Sequence, residues 1–185
     1  MSLQKWQETL ITAQVDGAAK TAPAIGTILP GAALYTLYAG FFELGRTLRL
    51  TASGRISCAV TTPGTARFSV MFGSVVVFDS LAVPLNVVAK TNVGWTLEVL
   101  MTCRAIGTGT SANLMGQGKF TSEAVVGSPV PSVGGVGVSV LPYNSAPAVG
   151  TGFDSTNAQQ IDLRFTQTAA TGSITLHQYL LEALN

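Results

Sequence analysis

The chain has 185 residues, a length that suits a single domain. Charged residues make up only 10% of it, against about 25% in a typical soluble domain. Apolar residues and glycine together make up about 56%, against an expected 45–50%, which excludes intrinsic disorder and predicts that some apolar surface meets another chain. The formal net charge of +1 offers no basic field for a phosphate backbone, so nucleic-acid binding is not expected.

Residues 1–42 are predicted to form an extended N-terminal arm and contact segment. No apolar run follows Met1, so no secretory signal is expected. The stretch Thr21–Phe42 is uncharged and long enough to cross a bilayer, but its two prolines and three glycines argue against a membrane-spanning helix. Aromatic residues cluster at the end of the arm and are candidate contacts: Tyr35, Tyr38, Phe41 and Phe42.

The next segment shows the period of a β-strand. From Arg46 to Val60 small or apolar residues fall on even positions and polar residues on odd ones. This alternation predicts a long antiparallel strand with one buried face, bent at Gly54. A turn at Thr61–Thr65 leads into further strands at Phe68–Phe72 and Val75–Phe78.

Four more strands are predicted in the rest of the chain. Val93–Cys103 alternates cleanly, and a glycine-rich turn at Gly107–Ser111 leads to a returning strand at Leu114–Val126. Strands at Ile161–Thr166 and Ile174–Leu184 follow. The apolar phase shifts within the last one, which predicts a bulge there or burial on both faces by a partner.

Seven or eight strands joined by turns predict an all-β fold, an antiparallel β-sandwich or jelly roll of about eight strands over residues 43–185. The connection at about 127–159 is long, rich in valine, proline and glycine, and uncharged before Asp154. Since a disordered linker would be more polar, we expect an ordered loop that lies on a protein surface. Its candidate contact residues are Val136, Val138, Tyr143 and Phe153.

The sequence offers little that could form a catalytic or metal site. His177 is the single histidine, and the carboxylates are scattered, so no acid–base pair or metal spacing is evident. Cys58 and Cys103 are predicted to be small buried residues with free thiols, and a disulfide is the less favoured alternative. We therefore expect no enzyme activity, no cofactor and no bound metal.

Two other sets of residues, the glycine pairs and the arginines, are candidate functional groups. The glycines around Gln117 and the Gly107-x-Gly109 pair precede no helix, so turn chemistry explains them better than phosphate binding. The arginines in or beside the strands permit two interpretations that remain open at this point. They form cross-strand pairs with Glu98 or Asp162 on solvated faces, or they are charges placed in an interface.

Several short runs of the chain resemble proteins of another kind. These runs are Leu10–Gly17, Ala52–Ser57 with Thr61–Thr65, Leu114–Phe120, Gly150–Ser155 and Ile174–Gln178. In them the chain resembles structural proteins of tailed-bacteriophage virions. The resemblance implies a capsid decoration (cement) protein, a head-fibre protein or a tail-associated jelly roll, assembled in the host cytoplasm and resident in the virion.

The resulting hypothesis is a structural virion protein that binds the capsid surface as a homotrimer and reinforces the shell without covalent links. Its expected partners are further copies of itself and the major capsid protein or another virion protein, with no nucleic acid and no membrane. The alternative hypothesis is a tail- or vertex-associated jelly-roll protein that binds a host receptor or carbohydrate.

Overall fold

A computed structural model describes residues 7–59, 62–125 and 137–184. These residues form twelve strands and one short 3₁₀ turn at Gly31–Ala33, in two antiparallel sheets packed face to face. The predicted all-β sandwich is therefore confirmed. The strands in chain order are β1 (Glu8–Thr12), β2 (Gly26–Thr27), β3 (Tyr35–Leu37), β4 (Thr47–Cys58), β5 (Thr65–Phe72), β6 (Val75–Asp79), β7 (Val83–Pro84), β8 (Lys90–Ala105), β9 (Asn113–Ser122), β10 (Gly137–Leu141), β11 (Gln159–Gln167) and β12 (Ser173–Ala183).

The larger sheet, here called sheet A, has six strands in the order β1-β12-β4-β8-β9-β10. The smaller one, sheet B, has the order β2-β11-β5-β6, with β3 also paired to β11 and β7 to β5. The chain passes from sheet A to sheet B between β4 and β5 and returns before β8. The strands β4 and β5, consecutive in the chain, thus lie in opposite sheets, whose apolar faces are buried against each other.

The core lies between the two sheets and follows the alternation in the sequence. Leu48 and Leu50 on β4 pair with Met101 and Val99 on β8, and all four side chains are buried. Aromatic rings from both sheets meet at the centre, where the Phe68 ring lies 4.8 Å from Phe120. Such edge-on contacts add to the burial of large apolar surfaces.

The predicted irregularity in the last strand is confirmed. The register of β12 against β4 shifts between Leu176 and Gln178, so that one extra residue bulges out of the ladder. Opposite lies Gly54, where an added Cβ would approach the backbone oxygen of Thr175 to 2.0 Å. The glycine permits the close backbone approach that the bulge requires.

Residues 7–42, the described part of the predicted N-terminal arm, do not form an extended arm, and residues 1–6 lie outside the described residues. β1 pairs with β12 in sheet A, whereas β2 and β3 pair with β11 in sheet B. Ile28 and Leu37 are fully buried. Pairing satisfies the backbone groups of the sheet edges while burying apolar side chains, and both effects favour docking of the segment over extension.

The long connection predicted at about 127–159 is also more structured than expected. Its first part, up to residue 136, lies outside the described residues. The strand β10 follows and extends sheet A, and the chain then returns through isolated bridges from Val149 to Met115 and from Phe153 to Ala112. Residues 137–159 are therefore a part of the sandwich rather than a loop on its surface.

Candidate contact surface

Three of the aromatic residues predicted as contacts are core residues of the chain itself. Phe41, Phe42 and Phe153 are each at most 4% exposed. The Phe42 ring lies 5.1 Å from Phe41 and 5.1 Å from Phe153. Their prediction as contact residues is wrong, because the docked N-terminal segment covers the return of the chain after β10 with its own aromatic side chains.

The other predicted contacts have different surroundings. Tyr35 and Tyr143 are half-buried and pack against the core, whereas Tyr38 is 62% exposed. Val138 is exposed on β10, and Val136 lies outside the described residues. Tyr38 and Val138 are thus the predicted positions that the fold leaves open to a partner.

Tyr38 belongs to an apolar set at one end of the sandwich, here called the loop-end cluster: Tyr38, Leu44 and Ile106, which are 62%, 67% and 47% exposed. Ser155 joins two of the loops that carry them. Its backbone oxygen accepts a hydrogen bond from the Gly40 N–H at 3.1 Å, and its hydroxyl accepts one from the Gly107 N–H at 2.9 Å. The cluster therefore sits on loops held by direct hydrogen bonds.

Val138 belongs to a second apolar set, on the outer face of sheet A. Val138 and Val140 on β10 are 59% and 70% exposed, and they pair with Thr121 and Lys119 on β9. We call these two valines the β10 patch. A shallow groove beside it is lined by Glu98, Leu100, Gln117, Gly118, Lys119 and Val140.

Leu100 extends this apolar surface toward the middle of sheet A. It is 42% exposed and stands on the otherwise polar face of β8. Leu100 was not predicted as a contact residue, and Val140 lay within the contact segment predicted at about 127–159 but was not among its candidate residues. A leucine on the polar phase of an alternating strand was the available signal for Leu100.

Charges on the outer faces of the sheets are largely neutralised by pairing. Lys119 Nζ lies 3.0 Å from Glu98 Oε2 on β8, and Arg164 Nε donates to Asp162 Oδ2 at 2.7 Å. Arg67 pairs with Asp79. Asp162 has an arginine partner as the first interpretation predicted, but on its own strand, and Glu98 pairs with a lysine instead.

The glycines around Gln117 do not form a turn, which corrects the sequence interpretation. Gly116 and Gly118 lie inside β9. An added Cβ on Gly116 would come within 2.4 Å of the Phe78 ring. The small residue is required because Phe78 from sheet B packs directly against the β9 backbone. Gly107 and Gly109 do form the predicted turn, since Gly109 has a φ of +66°.

His177 stands at the β12 bulge, where its Nδ1 lies 2.9 Å from Asp16 Oδ1. This contact fastens the N-terminal segment to sheet A. Tyr179 is buried between the sheets, and burial, together with the negative charge of Asp162, raises the pKa of its hydroxyl. The hydroxyl therefore stays protonated at neutral pH and cannot act as a base.

Both cysteines are buried and have free thiols, as predicted. Burial raises the pKa of each thiol, which keeps them in the unreactive protonated form at neutral pH. Within residues 7–59, 62–125 and 137–184, no group of three metal-ligating side chains is close enough to hold an ion. The same residues contain no helix with the length and apolar character needed to cross a membrane.

No protein-family model matches this chain, and no curated protein is significantly similar to it. The surface is therefore the basis for assigning a function. The exposed apolar residues of the described part include the loop-end cluster at one end of the sandwich and the β10 patch at an edge of sheet A, and others such as Val87 and Val88 lie elsewhere.

Proposed function

We propose that the chain is a structural subunit of a tailed-bacteriophage particle, which associates with copies of itself and binds the outer surface of the capsid. The β10 patch carries this proposal, since exposed valines at the edge of a sheet favour association with other protein chains. The resemblance of several runs of the sequence to virion proteins supports the assignment of the chain to a phage particle.

Such a protein would reinforce a shell by burying apolar surface across subunit boundaries. Each square ångström removed from water contributes about 25 cal/mol, so each contact made by a few side chains is modest. Repetition over many copies on one particle makes the sum large. The low charge content of the chain assists, because few charged groups lose their hydration when two uncharged patches meet.

The two apolar sets, the β10 patch and the loop-end cluster, would make different contacts. The β10 patch continues a sheet and suits contact between two copies, whereas the homotrimer that we propose would use a further surface of the chain. The loop-end cluster points away from the sheets on hydrogen-bonded loops and suits contact with the major capsid protein. Non-covalent assembly also agrees with the two buried free thiols, which take no part in cross-links.

The deciding experiment is the copy number of this chain in purified phage particles, measured by quantitative mass spectrometry against the major capsid protein. Hundreds of copies per particle are expected. A handful of copies would contradict the decoration role and support a tail or vertex component. Absence from the particle would overturn the proposal.

A second candidate function is binding of a host carbohydrate or receptor by the loop-end cluster. The observation that favours it is the ring of Tyr38, which is 62% exposed and stands edge-on to Phe41 at 5.4 Å. An exposed aromatic face of this kind can pack against a sugar ring. Titration of host-surface polysaccharide into the wild type and into Tyr38→Ala would test it, with loss of binding in the variant as the expected result.

A further inference from the structure

The two edges of sheet A are built differently. At the first edge, β1 carries the charged Glu8, and its register shifts between Thr9 and Ile11. Charges and irregularities of this kind protect edge strands from pairing with other chains. At the opposite edge, the sequence of β10 is GVSVL, with no charge, no proline and no register shift against β9.

The outer side of β10 is also unpaired in the described part of the molecule. No backbone hydrogen bond joins this strand to a described residue other than those of β9. Unpaired N–H and C=O groups in a flat, uncharged edge strand are a template for another strand. We infer that β10 pairs antiparallel with β10 of a second copy of this chain, so that two six-stranded sheets join into one.

The pattern of β10 selects the second copy as the partner. In an antiparallel pair centred on Ser139, all five residues of each strand find a partner, and Val138 of one copy faces Val140 of the other. This register keeps the exposed valines on one face and the buried Ser139 and Leu141 on the other. A shift by one residue would place each valine opposite an inward-facing residue. The same strand of each copy therefore forms the contact, and a twofold axis relates the two copies.

The surrounding charges permit this arrangement. The nearest charged side chain on β9 is Lys119, beside Val140, and it pairs with Glu98 of its own copy at 3.0 Å. The two Lys119 residues of a pair would be three strand spacings apart, or about 14 Å, which exceeds the screening length of about 8–10 Å. Like charges therefore do not meet across the twofold axis.

The inference rests on the self-association in the proposed function but not on the phage particle. Five paired residues form a small contact, below the area of about 1,000 Å² typical of stable complexes. We therefore expect a weak dimer in dilute solution, favoured where copies are held close together. A twofold contact of this kind requires a separate surface for any threefold contact.

Cysteine cross-linking tests the register directly. Val138→Cys and Val140→Cys are prepared separately with different mass tags, mixed in equal amounts and oxidised gently. We expect a covalent heterodimer in the mixture, because positions 138 and 140 face each other within reach of a disulfide. Each variant alone should yield about tenfold less dimer, because its two cysteines lie diagonally, about 7–8 Å apart. The natural thiols of Cys58 and Cys103 are buried and do not compete.

The second test is a charge substitution in β10. Self-association of the wild type and the variant is measured by analytical ultracentrifugation at protein concentrations up to about 1 mM, because even a weak dimer is populated there. Val138→Lys should weaken association at least about tenfold, since it places two charges in the contact. Val15→Lys is the matched control, because Val15 is 60% exposed, as Val138 is 59% exposed, but follows β1, which lies at the opposite edge of sheet A from β10.

A wild-type monomer at every concentration would overturn the inference, as would a mixture that forms no heterodimer or single variants that cross-link equally well. The outcome is independent of the particle experiment. A heterodimer from a chain absent from particles leaves the β10 contact standing and removes the phage role. Hundreds of copies per particle, together with no cross-linked heterodimer, would support the phage role and overturn the β10 contact.

Discussion

Glu182 on β12 and Arg49 on β4 face each other on the outer side of sheet A, with Arg49 Nε 2.7 Å from Glu182 Oε2. Gln7 donates to the other carboxylate oxygen, so the group links the N-terminal segment to two strands of the sheet. Burial alone raises the pKa of Glu182. The hydrogen bonds from Gln7 and Arg49 and the charge of Arg49 outweigh it, so the pKa lies below its ordinary value.

Glu182→Gln should therefore destabilise the fold in a pH-dependent way. Because the folded-state pKa lies below the unfolded one, the ionised carboxylate stabilises the native state above the unfolded pKa, and this contribution is lost as the pH falls through the folded pKa. We expect the free energy of unfolding to drop by about 1.5–3 kcal/mol at pH 7. The difference from wild type should shrink below the ordinary glutamate value of 4.5. Urea unfolding across this pH range measures it.

Glu98→Gln is the matched control for that experiment. Glu98 also pairs with a cation across two strands, but its side chain is 38% exposed and Lys119 is 60% exposed. Solvent screens such a pair, so the loss should stay below about 0.5–1 kcal/mol. Equal losses in the two variants would contradict the special role of the buried carboxylate.

Gly116→Val should destabilise the sandwich by overfilling it. The new Cβ would lie 2.4 Å from the Phe78 ring, and the branched side chain needs still more room. Overpacking of this kind costs about 1–3 kcal/mol. Gly94→Ala is the control, because nothing lies within 4 Å of its added Cβ. Chemical denaturation of both variants measures the difference, and an unchanged midpoint for Gly116→Val would contradict the close contact.

Phe153→Ala and Tyr38→Ala should separate a core aromatic from a surface one. Phe153 is 1% exposed and packs against Phe42 and Phe72, so its removal should lower the free energy of unfolding by about 3–5 kcal/mol. Tyr38 is 62% exposed, and we expect its removal to cost less than about 1 kcal/mol. Similar thermal midpoints for the two variants would show that Phe153 is not a core residue.

Deletion of residues 1–20 should destabilise the chain rather than merely detach it from a partner. It removes β1 and the backbone hydrogen bonds from Gly17 and Lys20 to β12, and it exposes Leu181 and its neighbours. A loss of several kcal/mol corresponds to a fall of about 10 °C or more in the melting temperature of a domain of this size. Deletion of residues 1–6 is the control, and an unchanged melting temperature for the longer deletion would restore the extended arm.

Strand periodicity predicted the buried side chains correctly wherever one face of a strand is exposed to solvent. Leu48 and Leu50 alternate with Arg49 and Thr51, so their burial followed from the spacing alone. The bulge near His177 was visible as a shift of phase. These features depend on neighbours in the sequence, which a single chain displays directly.

The prediction of contact residues was wrong where the sequence does not show which partner an apolar side chain packs against. Phe41, Phe42 and Phe153 are apolar in segments without alternation, and a sequence cannot show whether such side chains meet another protein or the same chain. Here Phe42 and Phe153, distant in sequence, meet at 5.1 Å. The strand β10 was hidden for a related reason, since its five residues lie among prolines and glycines that predict a loop.

The place of β12 in sheet A sets the order of events during synthesis. This strand lies between β1 and β4, so both wait for a partner from the opposite end of the described chain. At translation rates of 5–20 residues per second, roughly 6–23 seconds pass between the completion of β4 and the appearance of β12. During that interval the edge of β4 that later pairs with β12 has no partner strand. The yield of native protein should therefore rise with chaperones that shield nascent strands.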